Sequence, residues 1–372
     1  MSEPTGAVAG GRAVLFGYLG GENLGDDAML AGLLSLVRPE VQVTILARDP
    51  SAVDVGSRAG VSVVKASLPN ALRAILASDF VARVGGTSFH DEYEGVSHRT
   101  IFLRYLKLCG LYAAPRLLGK KVSAIGIGAG RITTWYTRLL SKIAMSCCAV
   151  LVVRDEQSLR LLRAAGHAQA VLGVDLAYAL RPGGRQRPGL APDSEVGRIG
   201  VSTIDLSPYG LVADNGAFWR ELGVALAGRY PAAEFSIYAF KDNEKESDLE
   251  SSDILAGSLG AAGAGSRIVK RSIGLAALME DMSRCDIVVA SRYHSAILAS
   301  LHNVPMMIIP YNEKLQHFVD DHGLGRNCII DMAHPNESVR RATPADVDLD
   351  SDEFAARYGR MRAAVTQAFE RP

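Results

Sequence analysis

Two α/β halves, each built on a parallel sheet and facing each other over a linker, are what this sequence predicts. At 372 residues the chain exceeds one ordinary domain and is long enough for two, each with its own core. β-Branched apolar runs alternate almost continuously with helical patterns, the signature of parallel sheets. The alternation breaks once, at Arg181-Pro182-Gly183-Gly184 through Pro192, dense in proline, glycine and charge, and then restarts. The implied layout is a flexible tail over 1–12, a first domain over 13–180, a linker over 181–197, a second domain over 198–350 and a terminal helix over 351–372. The cleft between the halves is the expected ligand site.

In the first half, Ala13–Tyr18, Val41–Ala47, Val61–Ala66, Phe80–Val84, Val122–Ile127 and Val150–Val153 read as strands. Between them lie helical patterns near Asp27–Val37, Asn70–Ala77, Thr100–Leu118, Trp135–Cys147 and Gln157–Ala165. In the second half the strands are Ile199–Thr203, Phe235–Ala239, Ile268–Lys270, Ile287–Ala290 and Met306–Ile309. Phe354, Tyr358, Met361, Val365 and Phe369 recur at spacings of three and four, so Asp352–Phe369 is an amphipathic helix that packs on a domain face.

Lys and Arg total 40 and Asp and Glu total 40. That balance removes the electrostatic case for a dedicated nucleic-acid binder. The start carries no basic n-region followed by an apolar run, and no apolar run approaches the roughly 20 residues of a membrane span. The five cysteines form no CxxC and read as buried thiols of a reducing cytoplasm. A cytoplasmic protein without a membrane span is expected.

The densest chemistry lies where apolar runs end. After Ile287–Ala290 come Ser291-Arg292-Tyr293-His294 and a helical pattern, and after Met306–Ile309 come Tyr311-Asn312-Glu313-Lys314. In open α/β sheets ligands bind at that rim. Arg292 can hold a carboxylate or phosphate bidentately, His294 has a pKa suited to proton transfer, and Lys314 adds a third cation. Gly17-Tyr18-Leu19-Gly20-Gly21-Glu22-Asn23-Leu24-Gly25-Asp26-Asp27-Ala28 follows the first strand and opens the first helix, an arrangement suited to an anion, although Asp26 or Asp27 also suits an N-cap or first-turn acid. Gly85-Gly86-Thr87-Ser88-Phe89-His90-Asp91 and Gly126-Ile127-Gly128-Ala129-Gly130-Arg131 repeat the strand-then-glycine form, in which plain turns are as good a reading. Arg154, opening Arg154-Asp155-Glu156-Gln157-Ser158, either pairs with Asp155 or Glu156 or faces a ligand. His167, His302, His317 and His322 read as structural. No metal-ligand spacing and no nucleophile elbow are present.

Taken together and in order, G-Y-L-G-G-E-N-L-G-D-D-A, G-G-T, G-I-G, R-D-E-Q-S and S-R-Y-H-S with V-P-M-M-I-I-P-Y-N-E-K-L resemble the polysaccharide pyruvyltransferase family, over most of the chain. The resemblance implies a GT-B-like fold, two Rossmann-like domains across a cleft with the C-terminal helix packing back on the first. It implies transfer of the enolpyruvyl unit of phosphoenolpyruvate onto two hydroxyls of a sugar, giving a cyclic pyruvate ketal and phosphate, with no cofactor and no metal. Catalysis then falls to His294 and Arg292. Phosphoenolpyruvate binding falls to Arg154, Arg292, Lys314, Gly25 and Asp26, and acceptor binding to Asn23, Thr87, His90, Asp91 and Arg131. Thr87, Tyr293 and Ala129-Gly130-Arg131 depart from the family pattern, on the side expected for the acceptor. That acceptor is free, lipid-linked or nucleotide-linked, and a lipid-linked one would bring the enzyme to the membrane periphery.

A glycosyltransferase of the same architecture is the nearest rival, with Glu313 and Asp321 as an acidic pair for a nucleotide sugar. A binding protein that kept the fold without the chemistry is the rival of another class.

Overall fold

A computed structural model describes residues 10–91, 95–183, 195–243 and 246–371. Residues 1–9 of the expected tail and 184–194 of the expected linker lie outside them. The chain divides into two compact units. The first comprises residues 1–21, 29–179 and 356–372, and the second residues 22–28 and 180–355. Two segments therefore leave the half in which their sequence position puts them: 22–28 group with the second unit, and the end of the chain with the first.

The first unit contains strands β1 (Arg12–Phe16), β2 (Gln42–Ala47), β3 (Val61–Lys65), β4 (Phe80–Val84), β5 (Thr87–Phe89), β6 (Lys121–Ala129), β7 (Val150–Val153) and β8 (Val171–Leu172). Their order is β3-β2-β1-β4-β6-β7-β8, with β5 beside β6, and all pairs are parallel. The helices are α1 (Leu24–Leu36), whose first turn belongs to the second unit, α2 (Leu68–Ala77), α3 (His98–Leu117), α4 (Trp135–Ser146) and α5 (Glu156–Ala164). Strand faces bearing Val14, Phe16, Val122, Ala124 and Ile127 pack against Tyr105 and Tyr112 of α3, giving a core of aromatic and β-branched side chains.

The second unit contains β9 (Arg198–Ser202), β10 (Glu234–Ala239), β11 (Asp242–Asn243), β12 (Glu246–Ser247), β13 (Ser266–Lys270), β14 (Ile287–Ala290) and β15 (Met306–Ile308). Its main sheet runs β13-β10-β9-β14-β15, again all parallel, while β11 and β12 form a small antiparallel pair. Counting strands within this unit, the order is 3-2-1-4-5, the Rossmann order that the first unit also follows. Helices α6 (Asn215–Arg229), α7 (Leu249–Ala261), α8 (Leu275–Ser283), α9 (Tyr293–Leu301), α10 (Glu313–Asp321) and α11 (Pro335–Arg341) connect and cover these strands. Trp219 on α6 is fully buried, with its indole N–H donated to the Ile204 carbonyl at 3.1 Å.

The final helix, α12 (Asp352–Ala368), joins the first unit from Ala356 onward. Arg357 pairs with Glu156 at 3.1 Å, Lys121 donates to the Glu370 carbonyl at 3.0 Å, and Phe369 meets Phe80 edge-on at 6.0 Å. Gly173 lies so close to α12 that an added Cβ would sit 3.0 Å from the Met361 Cβ. This is the amphipathic helix and the packing expected of it. Among the described residues, no helix is long and apolar enough to cross a membrane.

Candidate active site in the second unit

In a Rossmann-ordered sheet the ligand crevice opens where the strand order reverses, beyond the carboxyl ends of the central strands. In the second unit those strands are β9 and β14. Ser202 ends β9, and its hydroxyl accepts from the N–H of Ser291 at 2.8 Å and of Arg292 at 3.3 Å, just past β14. Ser295 accepts from the Arg292 N–H at 3.2 Å, so the chain turns into α9 with Arg292 at the N-cap and His294 in the first turn.

Arg292 is not poised open. Its Nε donates to Asp248 Oδ2 at 3.2 Å, and its Nη2 to Asp248 Oδ1. Asp248, fully buried just before α7, also accepts from the backbone N–H of Phe240 at 3.1 Å and Lys241 at 3.0 Å. Burial pushes its carboxyl above the usual value, against the pull of Arg292 and the two amides. Burial likewise works against the guanidinium, but the Asp248 carboxylate, its hydrogen bond and the nearby Tyr311 and Tyr209 together outweigh it and hold Arg292 more firmly charged than usual. The fork takes two of the five guanidinium donors, so bidentate capture through the Nε edge, expected for a ligand, is made by Asp248 instead. Buried Tyr311, in edge contact with Tyr209 at 4.7 Å, sits in the same electrostatic neighbourhood.

The glycine-rich segment arrives at this place through its second half. Leu24 donates to the Phe240 carbonyl at 3.2 Å, and Asn23 forms a bridge with Lys241. Asn23, not Asp26 or Asp27, occupies the helix-capping position. Its carbonyl accepts from the N–H of Asp26 and Asp27, and its Oδ1 accepts from Gly25 N–H at 3.2 Å. Asn23 Nδ2 donates to Asp26 Oδ2 at 2.6 Å, and Asp27 pairs with Arg271 at 3.1 Å. Gly25 leaves room for the His294 ring: an added Cβ would lie 2.0 Å from His294 Nδ1, so any larger residue forces the ring to move. The His294 ring therefore packs directly on the first turn of α1. It also meets Tyr293 edge-on at 5.3 Å.

Asn23, Gly25, Asp26, Arg292 and His294 are thus brought together in one unit. Lys314 belongs to the same unit, exposed in the first turn of α10, whose N-cap is Asn312. Glu313 and Asp321 open and close that helix.

The other expected residues belong to the first unit. Arg154 follows β7, away from the β1–β4 reversal. It is buried, with Nη1 3.2 Å from Asp175, Nε 3.5 Å from Asp155 and Nη2 donating to Thr87 Oγ1 at 3.3 Å. The structural pairing with Asp155 is present. Glu156 pairs with Arg357 instead. Asp91 is committed to the start of α4: its oxygens accept from the N–H and hydroxyl of Thr133 and Thr134 and from the Thr137 hydroxyl, at 2.6–3.0 Å. Against the burial that would raise it, these donors hold its pKa down at about 2. All five donors come from the protein, so an acceptor role for Asp91 would displace a helix cap. His90 packs beside Gly130, and Arg131 is exposed with its carbonyl accepting from Asp91 N–H at 3.1 Å.

Asp248, Asp175, Ser202 and Tyr311 escaped sequence reasoning as parts of these clusters. For Asp248 a signal existed, an aspartate immediately before a helical pattern, but such residues are read as caps. Its pairing across 44 positions has no local trace.

The model of the polysaccharide pyruvyl transferase family matches residues 23–313. The chain belongs to this family. The match begins at Asn23 and ends at Glu313, spanning Gly25, Arg154, Asp248, Arg292 and His294. No curated protein sequence matches the chain. Among solved structures, the HepE protein of Anabaena, in complex with UDP and glucose, is similar over 97% of this chain and 96% of that one, at 11% identity and TM-score 0.54. A putative UDP-N-acetylglucosamine 2-epimerase from Listeria monocytogenes is similar over 97% of both chains, at 12% identity and TM-score 0.52. The MnaA protein of S. aureus, solved with UDP, is similar over 95% of this chain and 90% of that one, at 10% identity and TM-score 0.54. At these identities the likeness concerns the fold, and this pyruvyl transferase family member has the GT-B-like α/β class expected of it.

Proposed function

We propose that the protein transfers pyruvate from phosphoenolpyruvate to two hydroxyls of a sugar in a polysaccharide or glycolipid precursor. The observation that carries the reading is the placement of Arg292 and His294 at the strand-order reversal, with His294 packed on Gly25 at the start of α1. Phosphoenolpyruvate presents a carboxylate and a phosphate, which call for cations and helix N-termini close together. Here two helix starts, α1 and α9, meet in one unit with a half-buried arginine, and Lys314 lies in the first turn of a third helix.

In this reading His294 delivers a proton to the methylene carbon of the enolpyruvyl group, which leaves a cationic centre at the adjacent carbon. One sugar hydroxyl attacks that centre and returns its proton to His294. The bond from that carbon to the phosphate oxygen then breaks, the second hydroxyl closes the ketal, and its proton leaves with phosphate. Asp248 does not touch substrate in this scheme. It keeps Arg292 charged and directs the outer guanidinium edge, Nη1 and the remaining Nη2 hydrogen, toward the donor. Donor binding by Arg154, which donates to Thr87 within the first unit, and acceptor binding by Thr87, His90 and Arg131 are checked by substituting each in the same assay.

The test is phosphate release from phosphoenolpyruvate with a panel of sugar acceptors, run beside a phosphoenolpyruvate binding titration. His294→Ala is expected to lower turnover by roughly 100-fold or more while the donor still binds. Normal turnover in that variant would remove the assignment. Saturable binding of UDP or GDP sugars without phosphoenolpyruvate binding would turn the reading to glycosyl transfer.

A further inference from the structure

Helix α4 is built the wrong way round for a surface that meets only water, and the neighbouring α3 also exposes large apolar side chains. On α4 the buried positions are Thr137, Ser141, Ala144 and Met145, while Trp135, Leu139 and Ile143 are exposed, Trp135 to 76%. On α3 one face, with Ile101, Tyr105, Cys109 and Tyr112, is buried in the core. The other exposes Phe102, Leu103 and Leu106. Large apolar side chains thus stand on both sides of α3, where an amphipathic surface helix would keep them on the buried side. The two helices pack on each other, and their exposed sides are continuous: Phe102 of α3 and Trp135 of α4 both meet the Tyr136 ring edge-on, at 5.7 and 5.9 Å.

The charge on this region is one-sided. From Gly95 to Val153 the sequence has nine Lys or Arg and no Asp or Glu, in a chain whose total is balanced at 40 against 40. Arg99, Arg104 and Lys107 on α3 and Arg138 and Lys142 on α4 are exposed among the apolar side chains. Interleaved cations and large apolar groups, an exposed tryptophan among them, match the boundary between acyl chains and anionic headgroups. A second copy of the chain would set like charge against like charge. Nucleic acid would leave the apolar side chains unmatched.

We propose that the α3–α4 face is a docking surface for an anionic phospholipid bilayer, on which the protein lies without spanning it. The proposal does not depend on the pyruvyl-transfer reading, because it concerns neither donor nor acceptor. Flotation of the purified full chain with phosphatidylcholine vesicles, with and without phosphatidylglycerol, tests it. The protein is expected to float with the phosphatidylglycerol vesicles only, and to be released by high salt. Trp135→Ser/Leu139→Ser and Arg138→Glu/Lys142→Glu should each weaken flotation by about tenfold or more. All four positions are exposed, so the thermal midpoint should stay unchanged. Failure to float, equal flotation with neutral vesicles, or undiminished flotation of both variants would overturn the proposal. So would concentration-dependent dimerisation that these substitutions abolish while vesicles are ignored.

Discussion

A half-buried arginine that meets a fully buried aspartate before any ligand arrives changes what its removal means. Breaking such a pair leaves an uncompensated charge, at a cost of about 3–5 kcal/mol. Arg292→Ala is therefore expected to lower unfolding free energy by about that amount in a denaturant titration, and Asp248→Asn in the same chain should recover part of the loss. Loss of activity in Arg292→Ala alone would not distinguish a ligand contact from a damaged site. Arg292→Lys keeps the charge and loses the fork, and is the better probe of donor binding. Gly25→Ala makes a complementary prediction. Alanine is a good helix former, so α1 should persist, but its Cβ would displace the His294 ring. Turnover should fall by about tenfold or more, toward that of His294→Ala, with little change in thermal midpoint. Wild-type turnover in Gly25→Ala would show that the ring position is immaterial to the chemistry.

At the scale of elements, Asp91 ties a loop to the start of α4. Its folded-state pKa, about 2 against an ordinary 3.8, is depressed. Its contribution to stability is therefore complete above about pH 4 and fades as pH falls toward about 2. Asp91→Asn is expected to cost about 1–3 kcal/mol near neutrality. The gap from the unsubstituted chain should narrow as unfolding is followed down to about pH 2; a constant gap would mean that the carboxylate charge is irrelevant. The strands and helices that alternate regularly were legible because periodicity is a local property. Phe80–Val84, Val150–Val153 and Ile287–Ala290 end where sequence reading ends them. β5 and β8, three and two residues long, offer no period to read. α1 begins at Leu24 rather than Asp27 because Asn23 supplies the cap. The helical pattern over Thr100–Leu118 was legible, but not its bare face, since a helix apolar on both sides does not announce which side packs. Arg292 and His294 stood out by their place after an apolar run. Asp248 and Asp175, the buried partners of Arg292 and Arg154, could be found only once distant segments were folded together.

For the whole molecule, the balance of 40 cations and 40 anions predicts weak interaction with any charged matrix at pH 7, if the charges are evenly spread. They are not. Nine bases and no acid lie between Gly95 and Val153, and five of them, Arg99, Arg104, Lys107, Arg138 and Lys142, are exposed on α3 and α4. At low ionic strength the Debye length is about 30 Å, and the basic face should act as a unit. The protein is expected to be retained on a cation-exchange matrix at pH 7 despite its zero formal charge, and to elute at moderate salt as screening shortens toward about 10 Å. Arg138→Glu/Lys142→Glu should elute earlier by more than Arg220→Glu/Arg284→Glu, which carries the same charge change at exposed positions of the second unit. Equal shifts would mean that retention follows net charge alone. An unequal shift would localise the attraction to the α3–α4 face, by a measurement that involves neither lipid nor sugar.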